Sequence, residues 1–158
     1  MIMETLKIMD AREKKELLAK ISDAYGIPPE IFRDYELLEK PERIFITSRE
    51  SLSINLRNLS IEGLGLSFAR ISGSIKLTTN AIQLFGRHAT KNILDLDTEN
   101  ALKYIRGLDL SGLPAKDIFG YVIVRSGKDY LGSGLYKDGY LKNQIPKQRR
   151  IKKLGNMQ

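Results

Sequence analysis

Residues 119–153 constrain the fold most, because strand-like runs and tight-turn signals alternate along this segment at short intervals. Its apolar periodicity predicts strands at residues 121–126, 130–137 and 140–144. Asp138-Gly139, between the last two runs, is one of the strongest signals for a two-residue hairpin. Short strands joined this tightly form a strongly bent or barrel-like sheet. We therefore expect a small β-domain near this end of the chain.

The residues before this segment predict helices mixed with antiparallel strands. Asp10 and Glu13 have the spacing of a capping box, which predicts a helix over residues 11–25 that ends at Gly26. Short apolar runs predict further strands at residues 35–38, 44–47, 64–71, 75–78 and 92–96. Capping residues predict further helical segments that follow Ser48, Thr79 or Asn80, and Asp97 or Thr98. Within the strand at residues 64–71, alternation places Leu64, Leu66 and Phe68 on one face.

A polar junction at Arg87-His88 separates the two halves of the chain. We expect an N-terminal α/β domain with an antiparallel sheet over residues 1–90, and a small barrel-like β-domain over residues 91–158. The expected fold class is α+β.

The chain offers little catalytic machinery. It has no cysteine, which excludes disulfides, thiolate nucleophiles and cysteine-based zinc sites. The only histidine, His88, fits a surface or linker position better than that of a catalytic base. The Gly132-Ser-Gly134 and Gly63-Leu-Gly65 pairs lack the third glycine and the helix of a dinucleotide-binding motif. We expect these glycines to relieve crowding between backbones, and we expect no catalytic activity, no cofactor and no metal.

No stretch approaches the roughly 18 consecutive apolar residues of a membrane span. The first residues become charged before any apolar run reaches the length of a signal peptide. We therefore expect a cytoplasmic protein with no membrane partner.

The positive charge is concentrated at one end. The chain carries a net charge of +7, and residues 1–139 account for only +1 of it. Residues 140–158 hold six basic side chains and no acidic one. A basic patch of this kind is typical of a surface that binds polyanions, although a solvated charged tail has the same composition.

Arginine forks and lysine point charges in this segment match phosphate oxygens. Tyr130 and Tyr136 are expected to pack in the sheet, whereas Tyr140, beside the hairpin turn, could equally stack on an unpaired base. The candidate RNA-binding residues are Arg149, Arg150, Lys152, Lys153, Lys147, Lys142 and Tyr140.

Four motifs carry a resemblance to a known family. They are Gly120-Tyr-Val-Ile-Val-Arg-Ser126, Tyr130-Leu-Gly-Ser-Gly134, Lys137-Asp-Gly139 and the basic run that begins at Leu141. In this order they resemble the PUA-like RNA-binding tail of Nop/Sun-type RNA 5-methylcytosine methyltransferases. The resemblance implies a PUA fold whose basic C-terminal element contacts RNA, and this element corresponds here to Arg149, Arg150, Lys152 and Lys153. The catalytic domain of those enzymes has no counterpart in this chain.

The rest of the chain resembles Nip-seven-like ribosome biogenesis factors, in which an α/β domain precedes a PUA domain, and the two resemblances together cover nearly the whole length. The motifs are Arg43-Ile-Phe-Ile-Thr-Ser48, Leu64-Gly-Leu-Ser-Phe-Ala-Arg70, Lys76-Leu-Thr-Thr-Asn-Ala81 and again Tyr130 to Gly134. The two resemblances imply a non-catalytic protein that binds rRNA or tRNA in ribosome biogenesis or RNA modification. Ribosome assembly factors or an RNA methyltransferase are the implied protein partners. The alternative hypothesis is a protein adaptor that recruits such a methyltransferase or assembly factor.

Overall fold

The computed structural model describes residues 6–57, 65–115 and 117–152. Its first sheet has five antiparallel strands, each hydrogen-bonded to the next along the chain. The strands are β1 (Lys7–Ile8), β2 (Tyr35–Lys40), β3 (Arg43–Ser48), β4 (Leu66–Ser72) and β5 (Ser74–Leu77). Three α-helices accompany them: α1 (Ala11–Tyr25), α2 (Arg49–Arg57) and α3 (Thr79–Phe85). Short 3-10 turns lie at Pro29–Phe32 and Gly86–His88.

Helix α1 forms where its capping residues predict it. The Asp10 side chain accepts a hydrogen bond from the backbone N–H of Glu13, whose side chain in turn accepts from the backbone of Asp10. At the other end Gly26 adopts a left-handed conformation with φ of 71°, which L side chains rarely adopt. The buried face of the helix carries Leu17, Leu18, Ile21 and Tyr25. Both predicted ends of this helix are therefore confirmed.

Strand β4 departs from simple alternation. A bulge opposite Ile44 and Phe45 of β3 inserts an extra residue, so that Phe68 and Ala69 are both buried in the first core. Leu66, at the start of the strand, is 50% exposed, while Gly63 and Leu64 lie outside the described residues. The N-cap of α3 is Thr78, one residue before the earliest predicted position, and its hydroxyl accepts from the backbone N–H of Ala81.

The second sheet has four strands in the order of the chain. They are β6 (Ile93–Asp95), β7 (Gly120–Ser126), β8 (Asp129–Lys137) and β9 (Tyr140–Asn143). Strands β6 and β7 are parallel, and the other pairs are antiparallel. The connection from β6 to β7 contains α4 (Thr98–Ile105) and the loop that follows it. A single bridge from Leu110 to Leu141 extends the sheet beyond β9. The expected α+β architecture, an antiparallel sheet followed by a second small sheet, is confirmed.

The two sheets meet along a shared interface. Helix α3, which follows the first sheet, packs against β8 of the second. Ile123 of β7 is fully buried within the core of the first sheet. The Tyr25 hydroxyl lies 2.6 Å from the Ile75 carbonyl oxygen and 3.3 Å from that of Tyr121, so one side chain of α1 contacts both sheets. Among the described residues, no helix has the length and apolar character needed to cross a membrane.

The glycines of β8 relieve crowding, as predicted, but the crowding atoms belong to side chains and not to another backbone. A Cβ atom on Gly132 would lie 2.6 Å from the hydroxyl oxygen of Tyr104 and 3.3 Å from that of Thr79. Tyr104 is fully buried and its hydroxyl donates to the Ser133 carbonyl at 2.6 Å, so moving the ring away would break this hydrogen bond. A Cβ atom on Gly134 would lie 2.4 Å from the side chain of the fully buried Leu141.

The Gly132→Ala substitution should lower the free energy of unfolding by about 1 to 3 kcal/mol, the usual cost of overpacking a core. The Tyr104→Phe substitution removes the hydroxyl that the new methyl group would strike, and by itself should cost about 1 kcal/mol through the lost hydrogen bond. In the double variant the new methyl group no longer meets the hydroxyl. Its loss of stability should therefore be smaller than the sum of the losses in the two single variants. Urea denaturation of the four proteins measures this, and strictly additive effects would contradict the proposed contact.

Candidate nucleic-acid interface

The basic C-terminal segment is attached to the body of the protein. After β9 the chain forms a 3-10 turn at Lys147–Arg149, which Pro146 precedes. Two residues later the backbone N–H of Ile151 donates to the carbonyl of Ile105 at the end of α4, at 2.9 Å. The segment between these points is therefore held on the surface at both ends.

Arg149 connects this segment to α3. Its guanidinium donates to the amide oxygen of Asn80 and to that of Gln83, both at 2.7 Å. Asn80 and Gln83 are separated by one turn of the helix, which matches the fork geometry of an arginine. Arg149 therefore joins the C-terminal segment to a helix that belongs to the first half of the chain.

Arg150 lies over the end of α4. A Cβ atom on Gly107 would approach its side-chain Cδ to 2.4 Å, so the aliphatic stem rests directly on that glycine. Its Nε donates to the Ile145 carbonyl at 3.3 Å. The residue is half-buried, and packing as well as charge explains its presence.

Tyr140 and Lys142 project from the exposed face of β9, next to an acidic residue that sequence analysis overlooked. Asp109 accepts hydrogen bonds from the backbone N–H of Asn143 and from the Tyr140 hydroxyl, both at 2.8 Å. These two bonds, in that order, hold the pKa of Asp109 below its usual value, with smaller contributions from Lys142 and Arg150. The same carboxylate raises the pKa of Tyr140.

The three lysines of the described segment present their charges to solvent. Lys142, Lys147 and Lys152 are exposed, and none of them forms a hydrogen bond or an ion pair with another described side chain. Lys153, the remaining candidate, lies outside the described residues. The candidates therefore separate into two arginines that also hold the structure together and three lysines whose ammonium groups are available to a ligand.

Tyr130 and Tyr136 pack as predicted. Tyr136 is buried, and its hydroxyl donates to the Leu113 carbonyl and accepts from the backbone N–H of Ala115. Tyr130 is half-buried beneath Arg125, whose guanidinium also forms a bidentate pair with Asp95 at 2.6 and 2.8 Å. Neither ring can stack on a base without leaving the sheet. Tyr140, at 47% exposure, is the one candidate stacking residue that remains open to solvent.

Among the described residues, His88 has no hydrogen bond to an acidic side chain or to a hydroxyl group. It is half-buried, and its Nε2 accepts a hydrogen bond from Nε of Arg87 at 3.3 Å. No carboxylate forms an ion pair or hydrogen bond with it among the described residues. Within the same residues, no group of three or more histidine and acidic side chains has the arrangement of a metal site.

The second sheet matches a known family. Residues 91–151 fit the family described as the Methyltransferase RsmF PUA domain, and this range runs from just before β6 to the end of the segment fastened by Ile151. Residues 91–151 form a PUA domain. The expected PUA fold is thereby confirmed, whereas the resemblance to Nip-seven-like factors stays a prediction. No curated protein matches the chain.

A solved structure shares the fold of both halves. It is described as a conserved PUA domain protein from Thermoplasma acidophilum and superposes with a TM-score of 0.61 over 92% of this chain and 98% of that one. The two sequences are 14% identical. The likeness therefore establishes that the N-terminal sheet and the PUA domain occur together in another protein of similar architecture.

The Arg149→Lys substitution keeps the positive charge but cannot donate to both Asn80 and Gln83. It should lower the free energy of unfolding by about 1 kcal/mol, because at least one of the two hydrogen bonds is lost. The combined Asn80→Ala and Gln83→Ala variant should have a similar effect, and adding Arg149→Lys to it should cause little further loss. Lys147→Ala is the matched control and should leave the urea midpoint unchanged; an equal loss there would contradict the assignment.

The hydrogen bonds to Asp109 predict a measurable titration. Because its pKa is lowered in the folded state, its bonds stabilise the fold above the usual aspartate pKa, and this contribution is lost as the pH falls through the lowered value. Tyr140→Phe should raise the pKa only part of the way, since the Asn143 N–H remains. Lys142→Gln should raise it less than Tyr140→Phe. Carboxylate chemical shifts measured by NMR would show whether this order holds.

Proposed function

We propose that this protein binds RNA through the basic edge of its PUA domain and has no catalytic activity of its own. The observation that carries the proposal is the match of residues 91–151 to the family described as the Methyltransferase RsmF PUA domain. The exposure of Lys142, Lys147 and Lys152 supports it, because these cations lie on β9 and along the C-terminal segment that follows it. Because none of the three forms an ion pair with another described residue, no such pair is lost when they meet phosphate groups.

The chemistry of this edge suits a polyanion better than a small ligand. Mobile lysines neutralise phosphates without requiring one fixed geometry. Tyr140 offers an exposed ring beside them, held in position by its hydrogen bond to Asp109. Asp109 itself carries a negative charge within the cluster, and we propose that it orients Tyr140 and disfavours simple non-specific attraction to any anion.

The biological setting that we propose is ribosome biogenesis or the modification of rRNA or tRNA. The resemblance of the motifs to PUA tails of RNA methyltransferases and to ribosome biogenesis factors supports this setting. The same resemblance suggests ribosome assembly factors or an RNA methyltransferase as protein partners. The cytoplasmic location expected from the sequence is part of this proposal.

The Lys142→Gln, Lys147→Gln and Lys152→Gln triple variant tests the proposal by its salt dependence. On single-stranded RNA each phosphate contact contributes about 0.7 to the slope of log affinity against log salt. The slope of the variant should therefore be less steep by about 2, and its affinity at about 0.1 M salt should fall by about 100-fold. Fluorescence anisotropy with a short mixed-sequence RNA measures both quantities.

A matched control removes three positive charges elsewhere. Lys15, Lys20 and Arg33 are exposed in the N-terminal half, and their side chains form no ion pair with other described residues. Their triple glutamine variant should bind RNA nearly as well as the natural protein. Wild-type protein that binds no RNA, or whose affinity stays flat across the salt series, would overturn the proposal. Protein partners that co-purify and survive nuclease treatment would favour the adaptor hypothesis.

A further inference from the structure

A row of four basic side chains crosses the N-terminal sheet. Lys40 of β2 lies opposite Arg43 of β3, Arg43 opposite Arg70 of β4, and Arg70 opposite Lys76 of β5. Directly opposed residues project from the same face of a sheet. We call Lys40, Arg43, Arg70 and Lys76 the basic ladder. With strands about 4.8 Å apart, the ladder extends for about 14 Å across the strand direction.

The ladder lies on the outer face of the sheet. Leu38 and Phe45 belong to a small cluster with Leu52, on the side opposite the main core. Lys40 and Arg43 are two residues from Leu38 and Phe45 along their strands, and therefore project from that same side. Arg43 and Arg70 are exposed, and Lys40 and Lys76 are half-buried. The charged ends are therefore accessible to a ligand.

Like charges in directly opposed positions destabilise a sheet. None of the ion pairs among the described residues involves a member of the ladder. Burial and the neighbouring Arg70 guanidinium lower the pKa of Lys76. The fold thus holds four cations side by side without neutralising them, at a cost that an external anion would offset.

The ladder ends in a cleft between the two sheets. This cleft has a volume of about 300 Å³ and is lined by Arg70 and Lys76, by the hydroxyl residues Ser72 and Ser74, and by Tyr121 and Gln144 of the PUA domain. Glu42, at the turn between β2 and β3, also lines it and is the one acidic residue among the described residues that do so. Serine hydroxyls and a half-buried tyrosine ring complement the cations, since they can bond to phosphate oxygens and contact a base.

Two contacts join the ladder to the PUA domain. The Lys76 ammonium donates to the side-chain oxygen of Gln144 at 2.8 Å and lies 5.8 Å from the centre of the Tyr121 ring. Gln144 is three residues before Lys147, where the exposed lysines of the C-terminal segment resume. Gln144 therefore connects the ladder to the C-terminal segment, which the proposed function assigns to RNA binding.

We propose that the basic ladder is a second RNA-binding surface, which holds the phosphate backbone of the RNA bound by the PUA domain. Its length of about 14 Å is enough to contact more than one phosphate of a single RNA strand. The surface adds affinity and orientation but reads no base sequence, because lysine and arginine contacts to phosphates position a nucleic acid without specifying it. This inference rests on the proposed function of the PUA domain.

The Lys40→Gln, Arg43→Gln and Arg70→Gln triple variant tests the ladder while leaving the Lys76–Gln144 contact intact. Anisotropy with single-stranded and stem-loop RNA should show an affinity loss of about 10- to 100-fold at about 0.1 M salt and a slope less steep by about 2. The Lys15→Gln, Lys20→Gln and Arg33→Gln variant changes the net charge equally and is the matched control. Relief of like-charge repulsion predicts that the ladder variant is at least as stable as the natural protein in low salt.

The outcomes separate the two proposals. If the natural protein binds RNA and the ladder variant binds as well as the control variant, the ladder proposal is wrong and the proposed function stands. If the natural protein binds no RNA, both are rejected. If the triple variant is misfolded by circular dichroism, the single Arg43→Gln and Arg70→Gln variants decide, and each should flatten the slope by about 0.7. Loss of an acidic protein partner with RNA binding unchanged would identify the ladder as a protein-binding surface instead.

Discussion

The structure depends on the close approach of two helices to the backbone of β8 at Gly132. Tyr104 of α4 and Thr79 of α3 both reach within van der Waals distance of the position that a Cβ atom would occupy there. One helix belongs to the first half of the chain and the other to the PUA domain, so this contact joins the two sheets as well as closing the second core. A side chain at this residue would separate elements that the rest of the fold requires to touch.

The shared interface explains why the basic residues of the C-terminal segment are not equivalent. Arg149 has planar donors in a fixed fork and can bond to two amides on α3 at once. Arg150 places its long stem on Gly107. Lysines have a single mobile charge and no such geometry, and in this segment they face solvent. The arginines therefore attach the segment to the rest of the protein, and the lysines remain available to an anion.

The same interface brings the two proposed RNA-binding surfaces together. The hydrogen bond between Lys76 and Gln144 connects an edge strand of the N-terminal sheet to the residues that lead into the C-terminal segment. The N-terminal sheet therefore contacts the PUA domain through the same strand that carries the last residue of the basic ladder.

Local interactions could be predicted from the sequence alone, because they join residues that are close along the chain. The capping box of α1, the left-handed Gly26, the hairpin at Asp138-Gly139 and the three strands of the PUA domain followed from short-range patterns and are confirmed. The location of the positive charge was equally visible. The bulge that buries both Phe68 and Ala69 was not, because a bulge depends on the register with a neighbouring strand.

Tertiary structure decided which charges have partners. Arg149 forms hydrogen bonds with Asn80 and Gln83, which precede it by more than sixty residues. Asp109 forms one with Tyr140, about thirty residues away in the chain. The basic ladder exists only through the pairing of four strands, since its members are dispersed from Lys40 to Lys76 in sequence. Periodicity and turn signals therefore predicted the α+β class and the small second sheet, composition gave the sign of the charge, and the resemblance to known families implied the PUA fold. Only strand register and the packing of the two halves determined where that charge is free to bind.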